Sequence, residues 1–572
     1  MKSLLINTLL IVLTGFSVSA QSHKPAAGFQ AGQPQKAGPD FKNGVVVSAR
    51  IEASDIGLAI LKKGGNAIDA AIAVQFALAV VYPDAGNIGG GGFMVYRSGS
   101  GEAAALDFRE KAPANASRNM YLDASGNAIV DKSLYGSLAA GVPGTVDGMA
   151  KAYARYGKLP WKELVQPAID LARLGFTISA RQARELNENK KDFVRLNPAG
   201  SSLIKAAAWK LGDRLTQPEL AQTLTAIRDK GRDGFYKGQV AVNMIREMDQ
   251  GKGLITMADL DAYQASWRTP VTGFYKGYKI ISMPPPSSGG IALIQLLQSI
   301  APYPVSHWGY NSDSTVRLVV EAERRVYADR SKYLGDPDFF KVPQESLLDS
   351  AYQHSRMASF DWNHASMSSA VQPGSLKGRE KEETTHYSIV DAAGSSVSVT
   401  TTLNGSYGSL ELVKGDGFIL NNEMDDFSVK PGSPNAYGLV GGEVNSIAPG
   451  KRMLSSMTPT IVEKDGKLFM VVGSPGGATI ITTVFQAIIN VIDFHMTMQQ
   501  AVDARRFHSQ WLPDVVYSEK GAFNPVLQQH LSEKGYKLAP RGLIGKVDAI
   551  LVTPDGYQAG ADHRSDDAAS GW

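Results

Sequence analysis

The sequence predicts an α+β fold, on three observations. Residues 384–403 read as a β-hairpin, with Thr384-Thr385-His386-Tyr387-Ser388-Ile389-Val390 on one arm and Ser396-Val397-Ser398-Val399-Thr400-Thr401-Thr402-Leu403 on the other. The turn between them is Asp391-Ala392-Ala393-Gly394. Shorter strand-like runs stand at Val45-Val46-Val47, Phe93-Met94-Val95-Tyr96 and residues 468–472, while residues 53–63, 67–81, 161–174 and 217–230 carry helical patterning.

The hairpin can be given a register. If it is centred near Ala393, Thr402 lies opposite Thr384 on the same face, with Cβ atoms about 5 Å apart; a slip of one residue would turn Thr402 away. Two readings follow. The threonines are ordinary β-branched strand residues, or Thr384 is a nucleophile whose own α-amine, with an unperturbed pKa of about 8, serves as its base once the chain is cut before it. The charged, turn-prone run Arg379-Glu380-Lys381-Glu382-Glu383 immediately precedes it.

A chain of 572 residues with 43% hydrophobic and 20% charged residues describes a soluble globular protein large enough for a big core or two intimately packed halves. Residues 1–20 resemble a secretory signal peptide: Lys2, an apolar stretch, then Val18-Ser19-Ala20. The alternative is a retained membrane anchor. Cysteine is absent, which removes disulfides and thiolate chemistry and fits a bacterial envelope or secreted protein. The net charge of +3 gives no sign of a polyanion partner.

In chain order, residues 21–42 read as a flexible tether, with the fold beginning near Gly44. Residues 67–81 read as a buried helix. Gly89-Gly90-Gly91-Gly92 precedes a strand and lacks a Gly-Lys-Ser/Thr ending, so close backbone packing explains it better than phosphate binding. Arg109 follows a short apolar strand; it is either an ion-pair partner of Glu110 or Asp107, or a guanidinium fork for a substrate carboxylate. Pro284-Pro285-Pro286-Ser287-Ser288-Gly289-Gly290 leads into an apolar helix at 291–300, and the alternating charges of 321–333 read as a solvated or interface helix face. Beyond the hairpin, a strand at 417–420 precedes the acidic cluster Glu423, Asp425 and Asp426, which does not fit an EF-hand loop. A long Gly/Pro loop at 430–450 contains Tyr437. The turn Gly473-Ser474-Pro475-Gly476-Gly477 follows a strand and offers adjacent backbone N–H groups to one oxygen. No Gly-x-Ser-x-Gly elbow, His-Glu-x-x-His helix or internal repeat is present.

Taken in order, Asp107-Phe108-Arg109-Glu110, the Pro284 loop, Thr384 to Ser388, Asn421 to Phe427, Leu454-Ser455-Ser456-Met457 and the glycine turn resemble the γ-glutamyltransferase (γ-glutamyltranspeptidase, glutathione hydrolase) family of N-terminal nucleophile hydrolases. The resemblance runs from about Val45 to the C-terminus. It implies a four-layer αββα sandwich and self-cleavage between Glu383 and Thr384. The large subunit (43–383) and the small subunit (384–572) would interleave in one domain. It further implies Thr384 as nucleophile, hydrogen-bonded by Thr402; Arg109, Ser455 and Ser456 for the α-carboxylate of a γ-glutamyl donor; Asn404, Glu423 and Asp426 for its α-ammonium; Gly476 and Gly477 as oxyanion hole; and Tyr437 in a lid. Glu423 departs from the glutamine that many bacterial members carry.

The activity implied is cleavage of γ-glutamyl amides such as glutathione through a γ-glutamyl-threonine ester, passed to water or to an amino acid or peptide amine. No metal or organic cofactor, nucleic acid or membrane span enters this reading, and the location is periplasmic or secreted. Two rivals remain: a cephalosporin or glutaryl acylase on the same scaffold, and an unprocessed, non-catalytic envelope binding protein.

Overall fold

The computed structural model describes residues 40–371, 384–430 and 441–572. Two seven-stranded antiparallel sheets form the centre. The first has the order Ala568–Gly571, Val45–Ser48, Thr385–Val390, Ser396–Thr402, Gly91–Arg97, Ala103–Asp107, Ser266–Arg268. The second runs Asp40–Phe41, Gly556–Gly560, Asp548–Thr553, Lys467–Gly473, Thr460–Lys464, Tyr278–Ser282, Val271–Tyr275. In both sheets, strands from before and after position 384 are neighbours.

Period-2 alternation sorts the side chains into layers. Val46, Met94, Tyr96 and Ile389 belong to a core shared with the helices Ile51–Lys62, Ala67–Val81 and Trp161–Leu174. Their neighbours Val45, Val47, Phe93 and Val95 belong instead to a core shared with Ile280, Val471 and Ile550 of the second sheet. That sheet is backed by the helices Gly289–Ile300, Asp313–Tyr333 and Ile480–Ile492. The order helix, sheet, sheet, helix is the predicted four-layer α+β sandwich. The helix Ala67–Val81 is buried along its whole length, as its apolar composition predicts, and it is started by a capping box between Asn66 and Asp69. Among the described residues, no helix is long and apolar enough to cross a membrane.

The hairpin register is the predicted one: Thr385 pairs with Thr401 and His386 with Thr400. Gly91 and Gly92 lie beside Thr402 and Thr401 on the next strand. A Cβ on Gly90 would stand 2.1 Å from the Thr402 carbonyl oxygen, and one on Gly92 2.4 Å from that of Thr400. Close backbone approach is therefore what the glycine run serves.

Two hydroxyls on the inner face of the first sheet bond to backbone carbonyls of the second. Ser388 Oγ donates to the Asp548 carbonyl at 2.9 Å, and Ser398 Oγ donates to that of Val472 at 3.1 Å. His386, two residues from Thr384, lies within hydrogen-bonding distance of Thr400 Oγ1 (2.9 Å) and Ser388 Oγ (3.1 Å). Complete burial pushes its pKa down to about 3, so it stays a neutral core group and not a proton carrier. Its ring leaves no room at Gly473, where a Cβ would stand 2.2 Å from Cε1. Gly473→Ala is expected to destabilise the fold by about 1–3 kcal/mol through overpacking, read as a lowered thermal midpoint.

Three expectations are corrected. The tether predicted over 21–42 does not reach 42: Asp40–Phe41 pairs with Tyr557 and Gln558, and the Lys42 N–H donates to the Trp572 carbonyl. The strand predicted at 417–420 is a loop with a single bridge, Leu412 to Ile419. Of the two readings of the charged face at 321–333, solvated or interface, the solvated one fails as far as Arg330, and Lys332 beyond it is exposed. Residues from Thr315 to Arg330 are buried, because the charges satisfy one another and distant groups, as in Arg325 to Glu321 at 2.5 Å. The segments assigned to signal peptide and tether before residue 40 lie outside the described residues.

Candidate active site

Thr384 stands immediately before the first strand of the hairpin, and its Oγ1 lies 3.5 Å from that of Thr402. Thr402 Oγ1 also accepts from the Asn404 N–H at 2.8 Å. Asn404 reaches that position with φ at +76°, a conformation that asparagine tolerates better than most residues. Its side-chain amide donates to the Asn422 carbonyl at 2.9 Å, tying the end of the hairpin to the acidic turn.

That turn, Glu423–Asp426, divides its two aspartates. Asp425 accepts from Ser133 Oγ at 2.6 Å, while Asp426 pairs with Arg109. Arg109 also meets Glu423 at 2.5 Å and Glu110 at 3.5 Å. The cluster is buried, and of the two ion-pair partners considered for Arg109 it includes Glu110. Asp107 is engaged elsewhere, by Arg268 and Arg452.

One guanidinium thus faces three carboxyl groups away from water. Burial pushes the Glu423 and Asp426 carboxyls above the usual range against the opposing pull of Arg109, and it pushes Glu110 up to about 8. Burial works to lower the Arg109 pKa, but Glu423, Asp426 and Glu110 together raise it. Arg109 stays charged. The arrangement can accept an additional cation, because a ligand ammonium supplies the positive charge that the carboxylates lack.

Thr384, Thr402, Arg109, Asn404, Glu423 and Asp426 line one cavity of about 540 Å³, including its open mouth. Ser455 and Ser456 line it too, held by the Pro284 loop: Ser288 donates both its N–H (2.7 Å) and its hydroxyl (2.6 Å) to the Ser455 carbonyl. Gly477 completes the wall. Gly476 and Gly477 have φ of +133° and +49°, a turn that glycine alone adopts without strain. The Gly476 carbonyl is taken up by Thr479, which donates its N–H at 2.9 Å and its hydroxyl at 2.8 Å. Gly476 itself lines a separate cleft on the other side of this turn. Of the remaining predicted site residues, Glu383 and Tyr437 lie outside the described residues.

Arg330 lines the cavity and was not singled out from sequence. Its Nη2 donates to Ser456 Oγ at 3.0 Å and its Nε to Ser288 Oγ at 2.8 Å. Burial lowers its pKa, yet an arginine remains protonated. A hydroxyl that accepts from a guanidinium keeps its own proton for another acceptor, so Arg330 primes Ser456 as a donor. Arg330→Gln is expected to raise KM for a carboxylate-bearing ligand about tenfold or more, the scale of hydrogen bonds to charged groups, with a smaller change in kcat. Steady-state kinetics checks this.

The sequence profile described as Gamma-glutamyltranspeptidase matches residues 53–572. This chain belongs to the γ-glutamyltranspeptidase family. A protein named glutathione hydrolase proenzyme from Escherichia coli (strain K12) is 47% identical over 571 residues, covering 98% of both chains. The crystal structure of Helicobacter pylori gamma-glutamyltranspeptidase superposes with a TM-score of 0.58 at 46% identity, covering 59% of this chain and 97% of that one. A cephalosporin acylase structure from Bacillus halodurans gives a TM-score of 0.81 at 25% identity, covering 96% and 99%. Residues of five of the six sequence motifs thus line one cavity, the threonine pair and the charge cluster among them, and the sixth, the Pro284 loop, holds Ser455 in place.

Proposed function

We propose that this γ-glutamyltranspeptidase family enzyme is a self-processing γ-glutamyltransferase and glutathione hydrolase, with Thr384 as its nucleophile. The observation that carries the reading is the Thr384–Thr402 hydroxyl pair opening on the same cavity as the Arg109, Glu423 and Asp426 cluster. A γ-glutamyl donor carries a carboxylate and an ammonium on one carbon. Fixed cations and anions a few ångströms apart match that pair and little else.

In processing, Thr384 Oγ1 attacks the Glu383 carbonyl carbon, and the peptide C–N bond breaks to leave an ester. Water hydrolyses the ester, freeing the Glu383 carboxylate and the Thr384 α-amine. The large subunit (43–383) and small subunit (384–572) then remain one interleaved domain, a reading supported by the neighbouring strands from both sides of the cut. In turnover the α-amine takes the Thr384 hydroxyl proton, Oγ1 attacks the donor's γ-carbonyl, and the departing amine leaves with a proton. The resulting γ-glutamyl ester passes to water or to an amino acid or peptide amine.

Thr402 orients the nucleophile, and the N–H groups of Gly476 and Gly477 receive the oxyanion. Arg109, Ser455 and Ser456 take the α-carboxylate; Asn404, Glu423 and Asp426 take the α-ammonium; Tyr437 belongs to a lid. The signal-like residues 1–20 support a periplasmic or secreted location.

Likeness to the cephalosporin acylase favours one second reading, an acylase for glutaryl groups. Asp426 and Glu423 weigh against it, because with Glu110 they are three carboxyl groups sharing one Arg109 guanidinium, and an acyl group without an amine brings no second cation to them. Kinetics on γ-glutamyl-p-nitroanilide and glutaryl-p-nitroanilide separate the two: the γ-glutamyl compound is expected to be preferred, and preference for the glutaryl compound would sink the reading.

A further inference from the structure

The Gly476–Gly477 turn is held from behind by a tyrosine that has no part in the site as built so far. Tyr327 lies on the helix Asp313–Tyr333, three residues before Arg330, so the two side chains leave the same helix face. Its hydroxyl donates to the Ala478 carbonyl. Tyr327, Ala478 and Thr479 are all buried.

The tyrosine ring has fixed surroundings. It meets the His508 imidazole edge-on, with centroids 5.7 Å apart and ring planes at 83°. His508 lies within hydrogen-bonding distance of Thr482 Oγ1 and of Gln510 Oε1, both at 2.8 Å. Complete burial pushes its pKa down to about 3, so it braces Tyr327 as a neutral ring.

From Ala478 the contacts run back to the glycines through the backbone. The Ala478 carbonyl and the Thr479 N–H belong to one peptide unit, and that N–H donates to the Gly476 carbonyl at 2.9 Å. The Gly476 carbonyl and the Gly477 N–H belong to another, and neither unit is cis. A trans peptide unit is planar and rigid, with its C=O and N–H pointing opposite ways. Fixing each carbonyl therefore fixes the direction of the N–H behind it.

We infer that Tyr327 is a positioning residue for the oxyanion hole: its hydroxyl, acting through these two peptide units, aims the Gly477 N–H at the reacting oxygen. The inference rests on the γ-glutamyl transfer reading above. The donors form a head-to-tail row, Tyr327 O–H, Thr479 N–H, Gly477 N–H, and in a buried setting each bond polarises the next. The charge that develops on the oxygen thus meets a stronger donor than an isolated peptide offers. Acylation and deacylation both pass through that oxyanion, and the bound donor does not carry it, so the row acts on kcat and not on donor binding. Arg330, on the same helix, holds Ser456 at 3.0 Å. One helix therefore sets both the serine proposed for the α-carboxylate and the turn proposed for the oxyanion.

Tyr327→Phe removes one oxygen and keeps the ring against His508. In the processed variant, kcat for γ-glutamyl-p-nitroanilide is expected to fall about five- to twentyfold, less than the roughly 10²–10³-fold that loss of a direct oxyanion donor costs, with KM within about twofold of wild type. Two inhibitors separate aim from fit. L-Norvaline carries the α-carboxylate and α-ammonium but no γ-oxygen, and its inhibition constant should not change. The donor analogue with a boronic acid in place of the γ-carboxamide is attacked at boron by Thr384 Oγ1, whose proton passes to the α-amine. The tetrahedral boronate then places an oxygen where the oxyanion forms, and its inhibition constant should rise by about the factor that kcat falls. Thr479→Val, which takes away the hydroxyl donor to Gly476 and leaves the N–H, is expected to show the same split.

Unchanged kcat in Tyr327→Phe would overturn the inference. So would equal weakening of norvaline and the boronate, which would make the tyrosine a support of the pocket as a whole. Wild-type enzyme that released no p-nitroaniline would instead count against the function reading itself.

Discussion

Thr384→Ala is expected to remain a single uncut chain with no measurable turnover. Wild-type protein should yield two chains by intact mass, the smaller beginning at Thr384. The alanine removes the oxygen that stands 3.5 Å from Thr402 Oγ1 at the cavity wall and that becomes the neighbour of a free α-amine on cleavage. His386, the nearest imidazole in sequence, is neutral and buried between the sheets. Loss of a covalent nucleophile typically costs about 10⁴-fold or more in rate. Thr384→Ser keeps the hydroxyl and is expected to retain both cleavage and activity at a reduced rate. A Thr384→Ala protein that still separated into two chains would place the nucleophile elsewhere.

Asp426→Ala should behave in the opposite way: processed into two chains, but poor with amine-bearing donors. Asp426 pairs directly with Arg109 in the wall of the cavity, whereas the Thr384 hydroxyl is paired with that of Thr402. Breaking a buried pair costs about 3–5 kcal/mol, part of which Glu423 retains by keeping its own contact with Arg109. A fall of about a hundredfold in kcat/KM for γ-glutamyl-p-nitroanilide follows, from roughly 3 kcal/mol of lost transition-state binding. Glutaryl-p-nitroanilide has no amine to lose, so its hydrolysis should be spared. Wild-type affinity for γ-glutamyl donors in Asp426→Ala would remove Asp426 from the ammonium site. The two variants thus separate the nucleophile from the recognition of the donor.

The nucleophile hairpin is legible in the amino-acid sequence alone. Period-2 patterning, a polar turn and β-branched residues fix register, and a pairing centred near Ala393 puts Thr402 beside Thr384, as found. The glycine run at 89–92 is legible too, because close backbone approach best explains four glycines ahead of a strand. Legibility ends where partners are far apart in sequence. Arg330 sits in a run of alternating charges that reads alike on a solvated helix and on a buried, internally paired one. Its partners Ser288 and Ser456 are 42 and 126 positions away. The apolar residues Val316, Val319, Val320 and Ala322 around the start of that run were the available signal that the helix is buried.

By itself, then, the sequence determined the local chemistry: which strand carries the threonine, which turn needs two glycines, and which short motifs hold the charges. Only the tertiary structure decided how those charges combine. Arg109 meets Glu423 and Asp426 across more than three hundred residues of chain. Backbone periodicity and turn geometry are short-range and leave their mark in adjacent residues. Electrostatic neighbourhood depends on distance in space, and only the packing of four layers sets that distance.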